Sequence, residues 1–140
     1  MVDVSSKPLL LREAVASGHV LMSPATLDLV ESNQISKGNV LATARLAGII
    51  AAKKTSDIIP LCHPLNLTHC DLDLVIPPSR DRIHITATAR VTAGTGVEME
   101  ALTAVAVAAL TLYDMCKAVD KSMVISGVHL ASKTKKPIPA

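Results

Sequence analysis

The decapeptide "LCHPLNLTHC" at residues 61–70 sets a Cys-His pair, Cys62-His63, against a mirrored His69-Cys70 pair. Thiolate and imidazole are the usual zinc ligands, and four such groups could close a tetrahedron. Structural zinc sites, however, take cysteine pairs two to four residues apart, so that one turn points both side chains inward. Here each cysteine adjoins a histidine, and a strand over residues 67–76 would send His69 and Cys70 to opposite faces of a sheet. The spacing argues against a metal and makes Cys70 an ordinary core thiol. It leaves the use of Cys62-His63 open.

The other groups able to do chemistry fall near the ends of two apolar segments. Lys37 opens the first, and Cys62-His63 follow its end; Glu98 and Glu100 open the second, and Asp114 and Lys117 lie near its end. Each has an ordinary structural reading. Asp114 and Lys117 are spaced i, i+3, as in a surface ion pair of about 0.2–0.5 kcal/mol. Carboxylates at Glu98 and Glu100 suit the dipole of a first helical turn. His63, held between Pro60 and Pro64, reads as a buried imidazole with a satisfied hydrogen bond. Lys37 is the exception, because a cation at a helix start opposes the dipole and calls for an anion nearby.

These groups are positioned by a recognisable order of elements. "HVLM" (19–22) reads as a short strand, and Pro24 begins a single helical turn. "SKGNVLATARLAGIIAAKKTSD" has Ser36 at the N-cap position and helical apolar spacing at Val40, Leu41, Ala44, Ala47, Ile50 and Ala51. Pro60 and Pro64 hold "LCH" extended. "LTHCDLDLVI" and "RIHITATARV" alternate apolar and polar residues on either side of "PPSRD", a hairpin pattern. Val97 to Val119 forms a second helix, apolar on almost every side and so covered on more than one face. "MVISGVHLAS" is the last strand. The expected fold is α+β, a ferredoxin-like βαββαβ: an antiparallel sheet with helices packed on one face. Residues 1–140 make one domain, with an N-terminal arm at 1–17 and a mobile tail at 133–140.

Along the second helix Glu100 and Asp114 lie ~21 Å apart at 1.5 Å per residue, so they cannot share one small-molecule site within a subunit. Ala101, Ala104, Ala106, Ala108 and Ala109 leave room for close packing, and a two-fold contact would bring one subunit's helix start near its partner's helix end. An oligomer with shared sites is the expectation.

Composition narrows the partners. Fourteen basic and 12 acidic residues leave a net charge of +2, without the electrostatic footprint of a nucleic-acid or membrane binder. One tyrosine is the only aromatic residue, which removes the stacking platforms of single-strand RNA readers despite the shared βαββαβ order. The uncharged run Ala101 to Tyr113 is short of the roughly 20 residues of a membrane span. Three cysteines without a signal-peptide pattern point to a reducing compartment. No nucleic acid, no membrane and no cofactor is expected.

"KGNVLATARLAGIIAAKKTSDIIPLCHPL", "TGVEMEALTAVAVAALTLYDMCKAV" and the opening "MVDVS" resemble the cyclic pyranopterin monophosphate synthase family of molybdenum-cofactor biosynthesis, over Met1 to about Lys133. The resemblance implies a homohexamer, a trimer of dimers with active sites at a dimer interface. It implies a small-molecule substrate, the cyclised GTP intermediate 3',8-cyclo-7,8-dihydroguanosine 5'-triphosphate, supplied by an upstream radical GTP cyclase. The products are cyclic pyranopterin monophosphate and diphosphate. By the same resemblance Leu61, Cys62 and His63 contact substrate, as do Met99 and Glu100 with Glu98 beside them. Asp114 is catalytic, Lys37 and Lys117 are active-site lysines, and Lys7 and Arg12 meet the triphosphate. The location implied is cytoplasmic in a bacterium and the mitochondrial matrix in a eukaryote.

Such chemistry suits these residue types. Opening and rebuilding the rings moves protons on and off nitrogen and oxygen, which positioned acids and bases accelerate. Asp114 could hold Lys117, and burial among other lysines would bring a lysine pKa toward neutrality. Lys37 could neutralise phosphate charge or serve as the acid; His63 and Glu100 would orient the guanine-derived ring. Two departures stand out. Asn39 replaces the family's usual Asp after "KG", and "KTKKPIPA" lacks its glycine-rich ending, although Lys133, Lys135 and Lys136 could still reach an anion. A rival reading of the same subunit is a small-molecule sensor that leaves its ligand unchanged.

Overall fold

The computed structural model describes residues 1–139. The chain runs β1 (Leu10–Leu21), α1 (Pro24–Glu31), α2 (Val40–Lys53), α3 (Thr55–Ile58), β2 (His69–Val75), β3 (Arg82–Ala93), α4 (Glu98–Cys116) and β4 (Val124–Lys136). The strands form one antiparallel sheet in the order β2-β3-β1-β4, with α2 and α4 as the helices of the ferredoxin-like βαββαβ arrangement. Alternation in β3 works as its sequence suggests: Ile83, Ile85, Ala87, Ala89 and Val91 are buried beneath the helices, and His84 and Arg90 are exposed. The partners of the first four across the central ladder, Val20, Gly18, Ala16 and Ala14, are equally buried. Small side chains here let α4 lie close to the sheet.

The alanines of α4 are used within the subunit. Ala101, Ala104, Ala108 and Ala109 have no exposed surface, so of the five small residues only Ala106 is available to another chain. The crossing with α2 is tightest at Gly48, where any Cβ would lie 2.5 Å from Leu72 Cδ2 and 2.9 Å from the Ala104 carbonyl. Ala104 and Gly48 are therefore small for the same reason, the approach of two helices over β2.

Three boundaries differ from expectation. β1 begins at Leu10 rather than His19, so only residues 1–9 remain as an arm. "LLREAVASG" is poor in β-formers, but register pairing with β3 from Leu10↔Ala93 to Leu21↔Arg82 overrides propensity. β4 likewise continues through the supposed tail: Lys133 pairs with Ala14, Lys135 with Arg12 and Lys136 with Leu11. Lysines on this edge strand discourage further strand addition. Third, the N-cap of α2 is Asn39, not Ser36; its side-chain oxygen accepts from the Ala42 N–H at 3.0 Å. The helical turn at Pro24 extends to eight residues, capped by Ser23.

The end of α4 is tied to α1 by a buried carboxylate. Asp120 accepts from the Ser23 N–H at 3.0 Å and the Thr26 hydroxyl at 2.9 Å with one oxygen, and from the Ser122 N–H and hydroxyl at 2.9 and 2.7 Å with the other. Burial alone would raise its pKa. The four donors more than reverse this and hold it well below the usual carboxylate range.

Candidate active site

The first turn of α4 and the connection after α3 build one cleft. Leu61, Cys62, His63, Glu98 and Met99, together with Ile59, Leu65, Thr95 and Gly96, line a space of about 320 Å³. Pro60 and Pro64 keep residues 61–63 out of a helix, so that successive side chains fan around the cleft. Behind it lies Glu100, 2% exposed, whose Oε2 meets the Cys62 thiol at 3.9 Å. Its Oε1 has no hydrogen-bond partner among the described residues. Burial raises the Glu100 pKa; burial and then the nearby Glu100 charge raise that of Cys62. Cys62 is accordingly a thiol rather than a thiolate at neutral pH. A buried carboxylate oxygen without a donor is costly, and a ligand bearing N–H groups would satisfy it.

Of the two expected phosphate contacts, Arg12 borders this cleft and Lys7 lies against the end of β3. Arg12 donates to the Ala93 carbonyl at 3.2 Å and lines an adjoining pocket of about 180 Å³ with Gly96, Glu98, Lys133 and Lys135. Gly96 and Glu98 are shared by both cavities, so the cationic wall continues from the Cys62-His63 corner. Lys7 follows a turn closed by its N–H on the Val4 carbonyl at 3.0 Å and passes over Gly94 at the end of β3. Lys133 lies 3.8 Å from Glu98. Strand register places Lys133 and Lys135, two of the tail lysines expected to reach an anion, in the lining of this adjoining pocket; "ASKTKK" is too polar for alternation to show that it is a strand.

At the opposite end of α4, Asp114 accepts from Lys37 at 2.9 Å through Oδ2 and pairs with Lys117 at 3.2 Å through Oδ1. Lys37 also donates to the Asp114 carbonyl at 3.2 Å. Here is the anion that Lys37 required. The Lys37 hydrogen bond, followed by that of Lys117, lowers the Asp114 pKa. About half of each of these side chains is exposed, so the burial invoked for a lysine is not supplied within one chain. Two ammonium groups around one carboxylate leave excess positive charge.

Leu61, Cys62, His63, Glu98, Met99 and Glu100 thus converge, with Arg12 at their border and Lys7 against Gly94 at the end of β3; Asp114, Lys117 and Lys37 form a second group a helix length away. The mirrored pairs of the opening decapeptide do not converge. His69 is exposed opposite Arg90, and Cys70 is half-buried opposite Ala89.

The MoaC family model matches residues 1–136. A cyclic pyranopterin monophosphate synthase of Heliobacterium modesticaldum is 59% identical over 134 residues, covering 96% of this chain and 84% of that protein. One of Chloroflexus aggregans is 57% identical over 133 residues, 95% of this chain and 81% of the relative. A third, of Clostridium perfringens, is 55% identical over 133 residues, 95% and 84% of the two chains.

Proposed function

The chain belongs to the MoaC family, and from that premise we propose that it is a cyclic pyranopterin monophosphate synthase acting in molybdenum cofactor biosynthesis. Its substrate is 3',8-cyclo-7,8-dihydroguanosine 5'-triphosphate, the product of an upstream radical GTP cyclase, and it releases diphosphate. The observation that carries this reading is the placement of two complementary groups at the two ends of α4: a cleft with a carboxylate oxygen unpartnered among the described residues, and a carboxylate held by two lysines.

Neither end is a complete site. Met99, Leu102, Ala106, Leu110 and Tyr113 follow one another at helical spacing, and Met99, Leu110 and Tyr113 are 37%, 58% and 38% exposed. This outward stripe joins the two ends. An antiparallel two-fold crossing near Ala106 would set Glu100 of one subunit beside Asp114 of its partner. Such dimers, assembled three at a time, make the homohexamer. The apolar stripe and the incomplete half-sites support this arrangement.

In the assembled site Glu100 accepts N–H groups of the guanine-derived ring, with His63 and Cys62 beside it. Asp114 orients Lys117, which exchanges protons with ring nitrogen and oxygen as the rings open and re-form. Enclosure by the partner would supply the desolvation that a lysine needs for this role. A sugar-derived hydroxyl then attacks the α-phosphorus; its P–O bond forms as the bond to diphosphate breaks. Arg12, Lys7 and Lys37 neutralise phosphate charge, Arg12 with the geometry for paired N–H bonds. The three free cysteines fit a reducing compartment, bacterial cytoplasm or mitochondrial matrix.

An anaerobic assay with the cyclised GTP intermediate tests the reading. Pterin product and diphosphate should appear together and both should vanish in Asp114→Ala. Intact ligand recovered after long incubation with well-folded protein would instead favour a sensor.

A further inference from the structure

His63 is held by a part of the chain far from it in sequence. Its Nε2 lies 2.7 Å from the backbone carbonyl oxygen of Val2. A carbonyl only accepts, so the ring proton of the neutral imidazole resides on Nε2. Nδ1 is then a lone-pair acceptor without a protein partner among the described residues, on a side chain that lines the cleft.

The segment that delivers this carbonyl is built to stay in place. Asp3 accepts from the Ser5 N–H at 2.9 Å and the Ser5 hydroxyl at 2.7 Å, forming a turn immediately after Val2. The Lys7 N–H closes a second turn on the Val4 carbonyl at 3.0 Å. Both turns press on the end of β3 at Gly94, where a Cβ would meet the Lys7 carbonyl at 3.3 Å and the Val4 carbonyl at 3.5 Å. Gly94 is thus a landing place for the arm, and Thr95 and Gly96 next to it line the cleft.

We infer that residues 1–9 are a positioning strap, whose Val2 carbonyl locks His63 in the Nε2–H tautomer and presents Nδ1 as a hydrogen-bond acceptor for an N–H or O–H of the bound ligand. The role of Nδ1 rests on the reading of this cleft as the substrate site; the tautomer itself does not. Val2 acts through His63 and touches no reacting atom. The strap also fixes Lys7 against Gly94, next to the Thr95 and Gly96 of the cleft wall, so arm and imidazole are set together.

Long-range ¹H–¹⁵N correlation spectra of ¹⁵N-histidine-labelled protein report the tautomer without turnover, and His63→Gln identifies the His63 signals among the five histidines. Wild type should show the Nε2–H form. Gly94→Leu displaces the arm sterically, and Lys7→Pro removes the donor of the second turn; a tautomer mixture in either variant supports the strap. Gly94→Leu should also lower kcat/KM about tenfold, the scale of one lost hydrogen bond, with the circular dichroism spectrum unchanged. An Nδ1–H form in wild type, or an unchanged Nε2–H signal in both variants, overturns the inference. Absent turnover with the expected tautomers would count against the synthase reading and leave the strap standing.

Discussion

Glu100 combines two features that pull against each other, almost complete burial and a carboxylate oxygen without a donor among the described residues. Its folded-state pKa is raised by burial above the ordinary 4.5. The folded state therefore binds the proton more tightly, and the associated stability is present below pH 4.5 and lost as pH rises through the folded value. Glu100→Gln removes this dependence. The variant should be roughly 1–2 kcal/mol more stable than wild type at pH 7, with the difference shrinking as pH falls towards 4.5; thermal melts over that range check it. The same substitution should lower kcat/KM on the order of a hundredfold, because a charge-assisted hydrogen bond to the ligand is lost. Opposite stability and activity effects would mark Glu100 as a binding group whose cost is borne by the fold. A stability loss at pH 7 would contradict this. The sequence showed a carboxylate in a first helical turn and allowed the dipole to explain it; only packing shows that it is buried against Cys62.

Two elements hold the lysine end of the site, and they do so by different means. Asn39 caps α2 just after Lys37, and Asn and Asp satisfy the same N–H group. Asn39→Ala should cost about 1 kcal/mol in urea denaturation, whereas Asn39→Asp should cost nothing and gain a few tenths from the helix dipole. The departure from the family's usual residue thus preserves the cap and alters only charge. Asp120 anchors the other side, binding the α1 cap to the turn after α4. Asp120→Ala leaves buried donors unsatisfied and should cost about 3 kcal/mol. Because its folded pKa is lowered, its contribution is present above the ordinary 3.8 and disappears as pH falls below it, a window separate from that of Glu100. Legibility differed between elements for a physical reason. β3 and α4 declare themselves through periodicity, since each buries one side or nearly all sides. The first nine residues of β1, LLREAVASG, and the last four of β4, KTKK, hold few β-formers, so only pairing with a neighbour makes them strands. The Cys62-His63 corner was legible from motif, while register places Lys133 and Lys135 in the adjoining pocket.

At the scale of the whole molecule, the decisive fact is that α4 separates Glu100 from Asp114 by ~21 Å, and no fold of one chain brings its own helix ends together. If the site is shared across a two-fold axis, each active centre takes its cleft from one protomer and its Asp114 group from the other. Glu100→Gln and Asp114→Asn proteins, each nearly inactive alone, should then complement when co-expressed. In a mixed dimer one centre receives both defects and the other receives neither. Random pairing of equal amounts makes half the dimers mixed, so about a quarter of the wild-type activity should return. A site contained in one protomer predicts no recovery at any mixing ratio. The interface itself is tested by Leu110→Arg, which charges the middle of the outward stripe without touching either half-site. If the stripe is the two-fold contact, this variant should sediment as a smaller species than wild type and lose turnover, while the circular dichroism of the subunit persists, since Leu110 is 58% exposed in the single chain. Complementation without sensitivity to Leu110→Arg would keep the shared site but move its axis off this stripe. Sensitivity without complementation would mean that assembly orders a site each subunit already contains.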